Sequence, residues 1–400
     1  MSDFLKNINL KGDKVIWGVI ISLSLFSVLL VYSTAGWKYL FSHLIKLSVG
    51  LFFLYQVHKI KFKYFAKIGV LGFVISIILL LLVFVIGVTV NGASRWLSIA
   101  GVQFQPSDIA KLSILLFMAR QLSKYRHEIK DFKFLFLYVL APLIVICSLI
   151  LPNNFSTSAL IFLNGLVLMF VAKVNIKYIA SIIGLGIFGA LFIYGIAKLS
   201  PELSNKIMPR SATWVSRVDN YFNTKEVKKL DQDYQQQQAL VAIYNGGFSG
   251  VGPGKSTQRN ILPYSSSDFI FAIMVEEYGL LIGAIFPMLL YLILFYRALR
   301  ISTKIASVFG GLICVGLMFS LVFQAFVNML VSVGVLPVTG QTLPLISMGG
   351  TSILFTCITL GIVLSVSNDT SDREYELSLI HISEPTRQEA ISYAVFCLKK

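Results

Sequence analysis

The feature that most constrains the fold is a series of long apolar runs, each about as long as the hydrocarbon core of a membrane is thick. The run at 67–88 reads "KIGVLGFVISIILLLLVFVIGV" and carries one charged residue, at its first position. About 20 apolar residues in a helix span a bilayer, and a chain inside hydrocarbon must satisfy its backbone hydrogen bonds internally. The sequence therefore predicts a bundle of transmembrane helices.

Composition agrees with this fold class, since 56% of the 400 residues are hydrophobic and only 13% are charged. We predict an all-α polytopic membrane protein with about ten transmembrane helices in a single membrane domain, 1–370, followed by a tail, 371–400. The first span is not a cleaved signal peptide, because no small-residue cleavage site follows it. The predicted spans are 15–32, 40–57, 67–88, 107–122, 134–151, 157–173, 178–198, 268–296, 305–331 and 345–366.

The lysines and arginines of the short loops lie mainly on one side of this arrangement. They occur at the N-terminus and at 59–67, 120–133, 173–177 and 297–304, whereas the other side has only Lys38 and Arg95 in its short loops. Because basic loops stay in the cytoplasm, both termini are predicted to be cytoplasmic. The net charge of +15 then indicates attraction to anionic lipid, not to nucleic acid.

A long polar loop, 199–267, is predicted on the outer side between the seventh and eighth spans. Its segment "GVGPGKST" is not a P-loop, because Ser249 occupies the position of the first glycine. One interpretation is a glycine-rich loop whose amides, with Lys255 and Arg259, hold an anionic group such as a lipid diphosphate. The alternative is a glycine-rich turn with solvated charges, and the sequence leaves both open.

Charged residues inside a span are unfavourable and tend to face a cavity or a partner. Asp108 lies in the first turn of the fourth span, and Lys111 follows three residues later on the same face. They form either a local ion pair or, together with Arg95, a pocket for a phosphate-bearing lipid. The cysteines and histidines are scattered, so no metal site is predicted from side chains alone; one Mg or Mn ion held by a carboxylate and a substrate phosphate stays open.

The eighth span begins with an isolated carboxylate, Asp268, and carries Glu276 and Glu277 further along. An aspartate at this position either caps the helix or acts as a general base at a partly apolar interface. The two glutamates lie about 12 Å deeper at helical rise, too far to share a proton with Asp268. We interpret them as structural partners for a basic residue on a neighbouring span.

Four motifs occur in order: "NGASRWLSI…QPSDIAK", "QQQALVAIYNGGFSGVG", "SSSDFIFAIMVEEYG" and "NMLVSVGVLPVTGQTLPLISMGGTS". Over about residues 10–370 the chain resembles the SEDS family of bacterial peptidoglycan glycosyltransferases, the FtsW, RodA and SpoVE group. This resemblance implies polymerisation of lipid II on the outer face of the cytoplasmic membrane, with inversion at the anomeric carbon and release of undecaprenyl diphosphate. It also implies that Asp268 is the catalytic base.

The resemblance implies further site residues and partners. The outer cavity wall is implied to include Pro344, Ser347, Gly349 and Gly350 of "PLISMGG". A class B penicillin-binding protein, which is a transpeptidase, and divisome membrane proteins are the implied partners. The residues implied to contact the lipid substrate are Arg95, Asp108, Lys111, Arg217, Gln238, Gly250, Gly252 and Lys255.

Three departures limit the transfer of roles from the family. Asp108 replaces a glutamate, "PNNFST" at 152–157 lacks the acid of a "PDFGT"-like turn, and "PYSSSD" at 263–268 lacks the Glu and His of "PExHTD". Within the family the chain looks more like the division-type FtsW of Bacteroidetes-like bacteria than the elongation-type RodA.

Two other classes of protein are alternatives. One is a lipid flippase or transporter, whose sequence would be expected to contain paired repeats that we do not find here. The other is a noncatalytic membrane scaffold. The segment from Ser378 fits none of the motifs. It is interpreted as a run-on of foreign sequence, or else as a short genuine tail, and no function is assigned to His381 or Cys397.

Overall fold

The computed structural model describes residues 11–90, 93–99, 102–199, 215, 219 and 231–370, and these are mainly helical. Three short strands, β1 (Val88–Val90), β2 (Ala93–Ile99) and β3 (Val102–Phe104), lie between the second and third helices. The helices are α1 (Lys14–Val57), α2 (Phe65–Ile86), α3 (Pro106–Lys124), α4 (Phe132–Ile150), α5 (Phe155–Val171), α6 (Ile176–Leu199), α7 (Asp231–Gly246), α8 (Ile270–Lys304), α9 (Val308–Ser332) and α10 (Thr351–Thr370).

Two of the helices are interrupted at a glycine. Gly36 in α1 has φ 75° and Gly279 in α8 has φ 74°, a region that glycine enters without the steric penalty of other residues. The break at Gly36 separates the two runs that were predicted as separate spans. The break at Gly279 leaves Ile270–Gly279 as a short, almost fully buried half-helix that continues through a π-helical turn into the rest of α8.

By length and composition, seven of the described helices can cross a membrane: α1, α2, α4, α6, α8, α9 and α10. The prediction of a helical, multi-pass membrane protein is therefore confirmed. Each predicted span overlaps one of the described helices, the first two both falling in α1, while the number of crossings and their sidedness stay predictions. The last span was placed too early, because the chain at 345–350 is a loop in which Leu345 has φ 64°.

A small antiparallel sheet, in the order β1-β2-β3, connects α2 to α3, where no strand was predicted. Val88 pairs with Trp96, and Leu97 pairs with Phe104. The β-branched and aromatic residues at these positions favour extended structure. The last strand ends at Phe104, two residues before Pro106 begins α3.

Helix α9 is the centre of the bundle and packs against α3, α5 and α8. Most of it is buried, and its apolar side chains join the main core. One face is polar, however, because Ser320, Gln324, Asn328 and Ser332 recur at intervals of four residues and are all at most 5% exposed. We call these four residues the polar stripe of α9. Buried polar groups need hydrogen-bond partners, and several partners of the polar stripe belong to the candidate site.

Candidate active site

Asp268 lies in a turn just before α8, and its backbone is fixed from two sides. The side-chain amide of Asn328 donates to the carbonyl oxygen of Asp268 at 2.7 Å. The hydroxyl of Ser347 donates to the carbonyl oxygen of Ser267 at 2.6 Å. The amide of Met348 donates to the carbonyl oxygen of Ser266 at 2.8 Å. The loop at 341–348 and the polar stripe therefore hold the aspartate in place.

The carboxyl group of Asp268 is half-buried beside Gly340, where an added methyl group would lie 3.6 Å from Oδ2. Burial raises the pKa of Asp268, while a hydrogen bond from Ser267 and the positive charge of Arg95 act in the opposite direction. A carboxylate with a raised pKa and one cationic neighbour is suited to accept a proton from a hydroxyl group.

Arg95 reaches this site from β2. Its Nε donates to the carbonyl oxygen of Asn153 at 2.8 Å, and the next residue, Asn154, caps α5 by accepting from the amide of Thr157. The Thr157 hydroxyl accepts in turn from the side chain of Gln341 at 3.0 Å. The "PNNFST" turn thus supplies no carboxylate, but it orients Arg95 and the loop that faces Asp268.

Asp108 and Lys111 belong to a second cluster, in a cavity of about 20 Å³ that is large enough for about one water molecule. Lys111 Nζ donates to Gln324 Oε1 at 2.7 Å, and the Thr351 hydroxyl donates to Asp108 Oδ2 at 3.1 Å. Between the described residues the two charged groups attract each other without forming a direct ion pair. Of the two alternatives, the local ion pair is therefore wrong, because hydrogen bonds to α9 and α10 take its place, and the phosphate-binding pocket stays a prediction.

The polar stripe connects the two clusters. Gln324 accepts from Lys111 and donates to the carbonyl oxygen of Thr342 at 2.9 Å. One turn further along α9, Asn328 donates to the carbonyl oxygens of Gln341 and Asp268, both at 2.7 Å. Sequence reasoning missed Gln324 and Asn328; the available signal was their four-residue spacing within an otherwise apolar span.

The glycine-rich loop has a structural role that the sequence analysis did not assign. The amide of Gly250 donates to the carbonyl oxygen of Gly246 at 2.8 Å, and that of Gly252 donates to the carbonyl oxygen of Glu277 at 3.0 Å. An added Cβ at Gly250 would lie 2.3 Å from the same carbonyl oxygen of Glu277. Contrary to the prediction, these amides are not available to a lipid diphosphate, while Lys255 is exposed at the loop surface.

Glu276 and Glu277 are buried and hold this loop against the half-helix of α8. Glu276 accepts from the hydroxyl of Ser256 and from the amide and hydroxyl of Thr257. Glu277 accepts from the hydroxyl of Ser33 in α1 and lies near the charge of Arg259. The expected basic partner on a neighbouring span is therefore wrong for both, since Arg259 belongs to the long loop.

The remaining predicted residues divide into three groups. The carbonyl oxygen of Pro344 accepts from the Tyr291 hydroxyl at 2.5 Å, and Pro344 lines the cavity that contains Asp108. Gly349 and Gly350 lie just before α10, where Gly349 is buried and Gly350 is exposed. Gln238 is half-buried on α7. Arg217 lies outside the described residues.

No group of three or more His, Cys, Asp or Glu residues in the described part of the chain could hold a metal ion. A divalent cation beside Asp268 would therefore need oxygen atoms of the substrate as further ligands.

A family model described as "Cell cycle protein" (FtsW, RodA and SpoVE) matches residues 13–372. The chain is 31% identical to the probable peptidoglycan glycosyltransferase FtsW of Coxiella burnetii over 375 residues, 89% of this chain and 96% of that protein. It is 33% identical to the protein of the same name from Hydrogenovibrio crunogenus over 350 residues, 85% of each chain.

Solved structures agree on the fold. One, described as "Structural coordination of polymerization and crosslinking by a peptidoglycan synthase complex", matches with a TM-score of 0.74 at 23% identity, over 90% of this chain and 98% of that one. The rod shape determining protein RodA of Thermus thermophilus matches with a TM-score of 0.64 at 22% identity, over 90% and 97%. From the family match and these relatives, the chain belongs to the FtsW, RodA and SpoVE family of cell cycle proteins.

Proposed function

We propose that the chain is a peptidoglycan glycosyltransferase that polymerises lipid II into glycan strands, with Asp268 as the general base. The observation that carries this proposal is the half-buried Asp268 carboxyl group, whose backbone is held by Asn328 and on which the charge of Arg95 acts. Relatives at 31% and 33% identity that bear the name peptidoglycan glycosyltransferase support the same reaction.

In this reaction a sugar hydroxyl of one lipid-linked disaccharide attacks the anomeric carbon of the growing chain. The Asp268 carboxylate takes the hydroxyl proton as the new carbon–oxygen bond forms. The bond between the anomeric carbon and the diphosphate oxygen breaks, and its electron pair leaves with undecaprenyl diphosphate, which inverts the anomeric configuration. Fixing the base by its own backbone reduces the reorganisation that proton transfer requires.

The departing diphosphate needs compensation for its negative charge. The charge of Arg95 acts on Asp268, Lys111 lies in the neighbouring polar cluster, and Lys255 is exposed on the glycine-rich loop. We assign Arg95 to the reacting centre and leave Lys255 as a contact for the head group outside it. A bound Mg or Mn ion would supply further compensation for the diphosphate charge.

The proposed setting is the outer face of the cytoplasmic membrane at the division septum, because the compared relatives carry the division-type name FtsW. The membrane domain, 1–370, is proposed to work with a class B penicillin-binding protein and further divisome membrane proteins. A solved neighbour described as a peptidoglycan synthase complex supports the transpeptidase partner. A RodA-type role in elongation is the alternative.

The test is polymerisation of labelled lipid II by the purified chain together with its transpeptidase partner. We expect Asp268→Asn to lower the rate by about 10²–10⁴-fold, the usual contribution of a general base. Asp131→Asn is the matched control, because Asp131 is an exposed helix cap elsewhere on the chain. Normal polymerisation by Asp268→Asn would refute the proposal, and lipid that crosses vesicles without forming polymer would indicate a transporter.

A further inference from the structure

An open cleft of about 370 Å³ lies between the start of α2, the end of α3 and the start of α9. Its Ser307 precedes α9, while Asn328, about 30 Å further along that helix at 1.5 Å per residue, contacts Asp268. The cleft therefore lies at the other end of the bundle from the candidate active site. Ligand sites in proteins usually occupy about 300–1,000 Å³, so the cleft has room for a small ligand.

Three cations converge on this cleft from two segments at helix ends that were predicted to be cytoplasmic. Lys63 comes from the segment before α2, and Arg120 and Lys124 come from the last two turns of α3. None of the described residues that line the cleft is acidic, and neither ion pair of the described chain involves these three cations. Lys124 Nζ donates to the Tyr125 hydroxyl at 2.9 Å, a neutral partner that leaves its charge uncompensated.

The rest of the lining favours an amphipathic anion. Phe62 and Phe309 are buried, with their rings stacked at 6.5 Å between centroids, and form an apolar wall. Ser307 caps α9 by accepting from the amide of Gly310 at 3.3 Å, so its own proton remains free to donate outwards. The positive end of the dipole of this 25-residue helix adds to the attraction for an anion.

We propose that this cleft binds the phosphate head group of an anionic phospholipid, with Lys63, Arg120 and Lys124 around the phosphate and the first part of an acyl chain against the two phenylalanines. A lipid is favoured over a free phosphate ion because the chain is a membrane protein and the cleft joins cations to an apolar wall. Basic pockets between membrane helices on the cytoplasmic side commonly take such head groups.

The test measures lipid binding by native mass spectrometry of the full-length chain in detergent, titrated with dioleoyl phosphatidylglycerol or dioleoyl phosphatidylcholine. We expect preferential binding of phosphatidylglycerol. Its affinity should fall by roughly fivefold in Arg120→Gln and on the order of a hundredfold in the triple change of the three cations to Gln. Arg120→Lys keeps the charge and should retain affinity within about twofold of the unaltered chain.

The matched control changes Lys133, Lys177 and Arg300 to Gln, because these residues are exposed, lie in the end turns of helices on the same predicted side and do not line the cleft. An equal loss in the control, or equal binding of the two lipids, would overturn the proposal. So would inorganic phosphate that competes at millimolar concentration as well as the lipid does, since a phosphate ion would then be the ligand. Arg120→Gln alone, checked by thermal unfolding, gives the answer if the triple variant fails to fold.

Discussion

Asn328 is the side chain whose removal best tests the architecture of the candidate site. It is 1% exposed, and its amide nitrogen donates to the carbonyl oxygens of Asp268 and Gln341, both at 2.7 Å. These two carbonyl groups belong to segments that come together only in the folded protein. We therefore expect Asn328→Ala to loosen the aspartate from the loop at 340–342 without removing any charged or reacting group.

The expected loss of stability depends on the two carbonyl groups that lose their donor in Asn328→Ala. A buried acceptor that loses its donor costs about 1–3 kcal/mol, so two carbonyl groups give an upper range of about 2–6 kcal/mol, lowered wherever water enters. A catalytic group displaced by about 1 Å lowers the rate by about 100-fold. We expect Asn328→Ala to reduce polymerisation by that factor and stability by about 2 kcal/mol.

The assay is lipid II polymerisation at saturating substrate, with thermal unfolding measured on the same preparations. Asp268→Asn gives the background rate of polymerisation. Ser332→Ala is the matched control: Ser332 is buried one turn further along α9, and its hydroxyl donates only within its own helix, to the carbonyl oxygen of Asn328. The control should retain activity within about twofold of the unaltered chain. The reasoning fails if folded Asn328→Ala polymerises at the normal rate, or if Ser332→Ala is equally impaired.

Three further predictions concern other parts of the chain. Because burial raises the pKa of Asp268 and the base must be ionised, polymerisation should fall as the pH drops through that raised pKa, and Arg95→Gln, which removes an opposing charge, should move the acidic limb of the pH–rate profile upwards. Gly250→Ala should prevent normal folding, seen as loss of a thermal transition, since its Cβ would lie 2.3 Å from a backbone oxygen, whereas Gly184→Ala, with nothing within 4 Å, should be tolerated. Lys111→Met should lower the stability in chemical denaturation by about 1–3 kcal/mol, because it leaves the buried Gln324 Oε1 without its donor.

The apolar runs predicted the helical membrane fold because hydrocarbon constrains a chain through composition and length alone. The breaks within those runs were less accessible to sequence reasoning. The interruption of α1 was predicted as a loop between two spans, whereas one glycine, Gly36, makes it. The start of α10 was misplaced because "PLISMGG" is apolar, yet its hydrogen bonds serve the turn around Asp268 instead of a helix.

Asp268 was predicted as a site residue from its motif, whereas most of the residues that contact it were not predicted, and its role stays a prediction. Arg95 was predicted as a lipid contact, and only tertiary structure brings its charge to Asp268. Gln324 and Asn328 lie far from the aspartate in sequence. Polar residues in an apolar span are expected to be buried, but the sequence does not show which groups they contact. The glycine-rich loop was assigned to an anion because exposed amides are typical anion ligands, whereas here the amide of Gly250 donates to α7 and that of Gly252 donates to α8.

These contacts explain why a buried half-helix follows the aspartate. At its start, Asn328 and Ser347 fix the backbone around Asp268. At its end, the glycine-rich loop donates amides to the carbonyl oxygens of Glu276 and Glu277, whose carboxyl groups hold the loop in return. A segment fixed at both ends cannot carry Asp268 towards a distant substrate without breaking buried hydrogen bonds. In the proposed reaction the lipid-linked sugar therefore approaches a base that is already in position, so the movement that brings the two together comes from the substrate and from surfaces outside this half-helix.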